Sequence, residues 1–288
     1  MANVNLQSTL NKAMKKILYI TVVFVTCAFL FRCQKNIYDA SDFPVNDADA
    51  QKFIDSAGVS DNIQQLAINT FVKQLKDSSL WTKFLAIYPM VGGTENTTKW
   101  NLKDPRNSDA AYRLTFYGTP LYARTGILFN TLSDYADTHL ADDELAGYAD
   151  AAIAYYSRTQ NTVSGYDMGC TDGAIPYNEM SVYSNSADKS EWFGFSEDTL
   201  SPVTTGLFML SSTATNVTRY RNGIVVSSSG LPPNNVYTNL TILIGKSRIT
   251  QHPGMKECAL ATIGNGLTDA QALTFSNIVQ NFETALSR

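Results

Sequence analysis

From Leu80 onward the chain breaks into short apolar and aromatic runs separated by clusters of Gly, Asn, Asp and Pro. Trp81 to Tyr88, Tyr112 to Tyr117, Ile153 to Ser157 and Gly206 to Ser211 are the clearest of these runs. Thr241 to Gly245 and Glu257 to Ile263 read as two more strands, and Gly264-Asn265-Gly266 reads as the turn after them. Strands punctuated this often predict a sandwich or barrel, not a parallel sheet with crossover helices. The polar stretch Thr131 to Ala146 reads as a long loop or a short helix.

Helical spacing appears at the two ends of this β-rich region. Phe53 and Ile54 lie on a short segment that Gly58 closes, since glycine adopts the left-handed cap conformation without strain. Ser60 or Asp61 caps a second helix, on which Ile63, Leu66, Ala67, Phe71 and Leu75 recur at helical intervals. Thr268 opens a final helix, with Gln271 completing a capping box. Ala272, Phe275, Val279, Phe282 and Leu286 line its buried face. The chain therefore divides into a signal-like or anchoring segment (1–33), a linker (34–46), a helical hairpin (47–79) and a β-sandwich with a terminal helix (80–288).

Ile17 to Phe31 is an uncharged, mostly apolar run preceded by Lys12, Lys15 and Lys16 and followed by Arg32. It is short against the roughly 20 residues of a membrane-spanning helix. A basic stretch followed by a short apolar run is also how a secretory signal is built, and reading from Met14 gives such a segment. Leu30-Phe31-Arg32-Cys33 resembles a lipoprotein box, although Arg32 stands where a small residue is wanted. Cys33 is accordingly a candidate lipidation site, and an uncleaved apolar anchor is the other reading. Both place the remaining chain at or beyond a membrane.

Composition narrows the function classes. The formal net charge is -4, without the basic face that phosphate contacts require, so nucleic acid is not expected as a partner. Tyr and Phe are plentiful, at 15 and 14 residues, and suit a pleated, half-buried surface. Cys170 and Cys258 are the two cysteines of the β-rich region, either bonded or packed as free thiols.

Tyr220-Arg221-Asn222-Gly223 resembles the hairpin of concanavalin A-like (laminin-G-like) domains, in which Asn222-Gly223 would supply a turn of positive φ. Ile244-Gly245 and Leu267-Thr268-Asp269-Ala270-Gln271 follow in the order of that family. The resemblance implies a mainly β, jelly-roll sandwich with the hairpin of helices before it and one helix after it. Phe53 to Gly58, Trp81 to Lys83, Ala86 to Thr94, Asn101 to Arg106, Tyr155 to Thr159 and Asp167 to Cys170 are similar to virion proteins of phages infecting Bacteroidetes. That similarity implies a structural or host-attachment component, homo-oligomeric on a virion surface. The apolar amino-terminal segment departs from it and fits either a membrane-containing virion or a bacterial exported relative, in the cell envelope or extracellular.

Enzyme chemistry finds little support in the residues. Retaining sugar hydrolases need two carboxyls about 5–5.5 Å apart, which on this sandwich come from alternate positions of one strand. No Glu-x-Asp-x-x-Glu run occurs, and Glu191, Glu197 and Asp198 form the nearest cluster. His139 and His252, the two histidines, lie in no nucleophile motif. A binding role is better served. Trp192, Tyr183 and Tyr177 are candidate stacking residues for a surface glycan or receptor. Asp134, Asp137, Asp142, Asp143 and Glu144 read as a solvated acidic loop, with calcium as the one cofactor it would admit. Arg106, Arg113 and Arg158 are expected to make ion pairs. Fractionation of cells producing the full chain should place it with membranes, and its intact mass separates the two readings. A lipid-bearing chain beginning at Cys33 marks a lipoprotein, an uncleaved mass marks an anchor, and a soluble unmodified chain defeats both.

Overall fold

The computed structural model describes residues 44–146, 149–160, 166–171, 179–182, 189–192, 195–198, 204–230, 239–247 and 254–288. The apolar segment, Cys33, Tyr177 and Tyr183 lie outside them. Among the described residues no helix is long and apolar enough to cross a membrane.

The chain opens with α1 (Ala48–Ala57) and α2 (Asn62–Asp77). Asp47 starts α1 by accepting the amides of Asp49 at 3.0 Å and Ala50 at 3.1 Å, and Gly58 closes it at φ 66°. Asp61, of the two candidates, caps α2 through the Gln64 amide. The buried stripe of α2 is rotated from the expected one: Gln64, Ala67, Ile68, Phe71, Val72 and Leu75 face inward. Ile63 is 63% exposed, whereas its neighbour Gln64 is buried and accepts the Gly92 amide.

Next come β1 (Phe84–Tyr88), α3 (Glu95–Thr98), β2 (Thr115–Tyr117), β3 (Leu121–Ala123), β4 (Gly126–Leu128) and β5 (Tyr135–Ala141). They are followed by β6 (Ala151–Ser157), β7 (Met168–Thr171), β8 (Glu179–Val182), β9 (Lys189–Trp192) and β10 (Phe195–Asp198). The last are β11 (Gly206–Ser212), β12 (Asn216–Arg221), β13 (Ile224–Gly230), β14 (Thr241–Ile244), β15 (Glu257–Gly264) and α4 (Asp269–Ala285).

All pairings are antiparallel and fall into two sheets. Sheet A runs β13-β12-β11-β6-β15-β4-β3, with β1 beside the far end of β15. Sheet B runs β10-β9-β8-β7-β14-β5-β2. Ile153, Tyr155, Phe208, Leu210 and Ile263 of sheet A meet Ala136, Leu140, Met168, Ile242 and Ile244 of sheet B in the sandwich core. Phe84, Ile87, Ala154, Leu207, Met209 and Leu260 leave sheet A on its other side, against Phe53, Phe71, Phe275 and Phe282 of the helices. The protein is thus a mainly β sandwich of two antiparallel sheets, one of which carries a layer of helices.

Several expectations need correction. The stretch from Thr131 to Ala146 is neither loop nor helix in its middle: Tyr135–Ala141 is β5. Ala136, Thr138 and Leu140 point inward while Tyr135, Asp137 and His139 stay half-buried, and the polar outer set hid the alternation. The run from Trp81 begins as a 3₁₀ turn, so the strand starts only at Phe84. Tyr112, at φ 58°, ends a 3₁₀ turn, and β2 is confined to Thr115–Tyr117.

The β12–β13 turn has Asn222 at φ 49° and Gly223 at φ 78°, the two positive values that a type I′ hairpin demands. A Cβ on Gly223 would lie 2.8 Å from that of Ser276, so the hairpin also packs closely on α4.

Arg288 fixes the end of α4 to sheet A. Its Nε donates to Glu283 Oε2 at 2.8 Å, and its Nη atoms donate to the carbonyls of Pro89 at 2.7 Å and of Met90 and Ala259 at 3.0 Å. Neither side chain of the pair is accessible to solvent. Burial pushes the Glu283 carboxyl above its usual range, and the guanidinium opposes that push. Replacing Glu283 with Ala would leave Arg288 charged and unmatched, so E283A should lose about 3–5 kcal/mol in urea unfolding. A loss below about 1 kcal/mol would show that the carbonyl cage suffices alone.

Asp47 gives a pH-dependent test. Burial alone would raise its carboxyl, but hydrogen bonds from Lys76 and from the amides of Ala50 and Asp49 hold it below the usual value. The stabilisation is therefore present above the unfolded carboxylate pKa of about 3.9 and disappears as pH falls through the lower folded value. Asp47→Asn keeps a capping oxygen and removes the charge. The gap in urea midpoint between wild type and D47N should be open at pH 6 and closed near pH 2; a constant gap refutes the assignment.

Candidate functional site

The central strands of sheet A are covered on both sides, whereas the outward face of sheet B leaves room for a site. The described part of that face is built by β2, β5 and the end of β14. Phe116 packs inward, which turns its neighbours Thr115 and Tyr117 outward. The antiparallel register then sets Tyr117 directly across from Tyr135. Their rings stack with centroids 4.5 Å apart and planes within 6°. Lys246, just past β14, places its Nζ 3.8 Å from the centroid of Tyr135, and burial lowers its pKa. Tyr117 remains 43% exposed, so it is the ring of the stack that a ligand can reach, while Tyr135 is covered by Tyr117 and by the Lys246 ammonium.

Polar groups continue along the same outward row of β5. His139 sits at φ 57°, and its amide donates to Asp137 Oδ1 at 2.9 Å. Its Nε2 lies 2.8 Å from Thr115 Oγ1 and 3.6 Å from Asp109. Arg113 donates to Asp109 at 2.6 Å and to Asn107 at 2.9 Å. Nearby, Tyr112 donates to Glu144 at 2.8 Å; burial first, then the Glu144 carboxylate, pushes its pKa up to about 12. The row offers hydroxyl, imidazole and carboxylate groups beside an aromatic plane, which suits reversible recognition of a polyhydroxylated or amphipathic ligand.

The sequence-derived candidates distribute differently. Trp192 is the last residue of β9, opposite Met180 and Phe195. Tyr183 and Tyr177 fall outside the described residues. Asn222 and Gly223 form their turn on sheet A, away from the aromatic face. Glu191 pairs with Ser196 and Glu197 with Ser190, and cross-strand partners share a face while neighbours alternate. Positions 191 and 197 therefore alternate across the β9–β10 hairpin. Asp198 is opposite Lys189.

The acidic stretch is only in part the solvated loop that its composition suggested: Asp143 and Glu144 are exposed, while Asp137 lies half-buried on β5. Asp134 is fully buried, and its carboxylate accepts the amides of Thr119, Asn130 and Thr131 at 2.8–3.2 Å. It staples two loops together and has its lone pairs committed. Asp142 is buried as well. Among the described residues no group of three His, Cys, Asp or Glu side chains converges to hold a metal ion. Arg106, Arg113 and Arg158 pair with Asp104, Asp109 and Glu257.

One charged pair escaped the reading of the sequence. Lys256 and Asp167 are both fully buried with 3.2 Å between Nζ and Oδ1. A Cβ on Gly254 would fall 2.0 Å from Asp167 Oδ1, so glycine is required at that approach. No local signal marks such a pair, because its members are distant in sequence and each looks like a surface residue.

No protein-family model matches the chain, and no curated protein matches it in sequence. Solved structures do resemble it in outline. One is domain 4 of a GH43 extracellular arabinanase from Geobacillus stearothermophilus, solved with arabinotriose (15% identity, TM-score 0.46, 67% of this chain and 98% of that one). Another is the receptor binding domain of a botulinum neurotoxin C/D mosaic serotype (9% identity, TM-score 0.40, 68% and 51%). A third is a Trypanosoma rangeli sialidase with a bound inhibitor (11% identity, TM-score 0.36, 57% and 28%). The chain spans about half of the neurotoxin domain and less of the sialidase. TM-scores below 0.5 carry no argument here; the architecture rests on the strand pairings themselves.

Cys170 and Cys258 are both free thiols buried in the sandwich core, and burial pushes the Cys258 thiol well above its usual value. Neither should react with iodoacetamide in the native protein, and both should react without reductant once it is denatured. Peptide mass mapping checks this, and a disulfide-linked peptide would refute it.

Proposed function

We propose that this chain is a non-enzymatic, surface-displayed binding module that recognises a glycan or receptor through the outward face of sheet B. The observation that carries the reading is the Tyr117–Tyr135 stack with Lys246 beside it. This aromatic plane stands preformed on a rigid sheet, so a sugar ring or apolar epitope could dock at little ordering cost. The opposite-face placement of positions 191 and 197 supports binding over hydrolysis.

The similarity to virion proteins of phages infecting Bacteroidetes supports host attachment as the biological setting, with several copies acting together on a virion surface. The edge strand β13 supports such self-association. Its residues Ile224–Gly230 carry no charge and, among the described residues, only β12 pairs with it. A second reading, a bacterial exported lipoprotein or membrane-anchored carbohydrate-binding module, is favoured by the signal-like segment and Cys33.

The test is binding of the labelled protein to Bacteroidetes cells and to polysaccharide extracted from them. Tyr117→Ala removes an exposed ring without touching the core, and it should weaken binding about tenfold. Unchanged affinity in Y117A would reject the aromatic face as the site. Absence from a purified virion proteome would remove the phage setting.

A further inference from the structure

A pocket on the other side of the molecule has a different chemistry. Tyr156 and Ser157 at the end of β6 and Arg158 just after it line one side, Thr205 and Gly206 at the start of β11 another, and Asn222 of the hairpin turn, Gln280 of α4 and Arg288 beyond its end complete the lining. The cavity measures about 350 Å³. That is near the lower end of ligand pockets, roughly 300–1,000 Å³. Its floor depends on Gly206, at φ 108°, where a Cβ would lie 2.4 Å from Asn222 Oδ1.

The polar groups around this cavity can be counted against their partners. Both cations are matched: Arg158 donates to Glu257 at 3.0 Å, and Arg288 is held by Glu283 and backbone carbonyls. Asn222 uses its Oδ1 to accept the Leu207 amide at 2.9 Å, which leaves its NH₂ available. Gln280 donates through Nε2 to Thr284 at 3.3 Å, which leaves its carbonyl oxygen available. The hydroxyls of Tyr156 and Thr205 complete the set of uncommitted groups.

The lining thus offers N–H and O–H donors and one amide acceptor within a single cavity, with no unmatched charge. An anion would find its cations already neutralised, and the last turns of α4 present the negative end of the helix dipole. A cation would meet carboxylates already paired. Hydroxyl groups, which donate and accept in turn, match such a lining.

We propose that this pocket is a second binding site, for a neutral hydroxyl-rich ligand: one uncharged sugar unit at the end of a glycan. The saccharide class rests on the function proposed above, but none of the residues on the sheet B face takes part.

The experiment is amide-detected NMR titration of the full chain, held in a zwitterionic detergent that carries no sugar headgroup. The probes are D-glucose, D-galactose, D-mannose and L-arabinose, with D-glucuronate as the charged counterpart of glucose. At least one neutral sugar should shift the amides of Tyr156, Gly206, Asn222 and Gln280 at millimolar concentration. Tyr156→Phe and Gln280→Ala keep the fold and should each weaken that response roughly fivefold. Y117A should leave it unchanged. Shifts confined to Tyr117 and Tyr135 would overturn this site while supporting the sheet B face. Shifts here, with cell binding insensitive to Y117A, would do the reverse. No response to any neutral sugar, or tighter binding of glucuronate than of glucose, would overturn the proposal.

Discussion

The central strands β6, β11 and β15 carry apolar side chains on both faces, and burying both faces takes two covers. Sheet B supplies one, through Ile242, Ile244 and Met168. The helices supply the other, through Phe71, Phe275, Val279 and Phe282. A jelly-roll sheet with solvent on its outer side needs no such lid and would show polar alternation there. In this chain the helical hairpin and α4 are consequently part of the core, not appendages to a sandwich. The Arg288–Glu283 pair secures the lid at its far end, where the guanidinium reaches carbonyls after β1 and within β15.

This division of labour decides where recognition can occur. With the central strands of sheet A dry on both sides, the outward face of sheet B is left to carry aromatic and polar side chains whose exposure costs little. The register of β2 against β5 stacks two tyrosines from separate segments, and the end of β14 brings Lys246 over the inner ring. The lid has its own consequence at the hairpin end. Where α4 runs past the ends of β6 and β11, the packing leaves a cavity, and its two arginines are neutralised by glutamates from β15 and α4. The two candidate sites therefore differ in physical character, one an open stack and the other a neutral hydrogen-bonding pocket.

Glu191 and Glu197 illustrate how register constrains chemistry. Read along the chain they look like a loose carboxylate cluster. Paired as β9 and β10, their positions alternate across the sheet, and the cluster dissolves without reference to any side-chain detail.

Local order along the chain already determined much of this protein. Helix ends were legible because Asp61, Thr268 and Gly58 act on amides and carbonyls within four residues of themselves, whereas the Asp47 cap emerged only from the structure. The apolar runs of β6, β11 and β15 announced strands, though not that both of their faces are buried, and Asn222-Gly223 announced a turn of positive φ. Only the tertiary structure decided the rest. Strand β5 was hidden because polar residues stand both in its outward row, at Asp137 and His139, and at the inward Thr138. Asp134 and the Lys256–Asp167 pair were hidden because the groups that make a buried charge tolerable arrive from distant strands. The aromatic face was hidden for the same reason: Tyr117 and Tyr135 become one stack through strand register, which is a property of the assembled sheet and not of either segment.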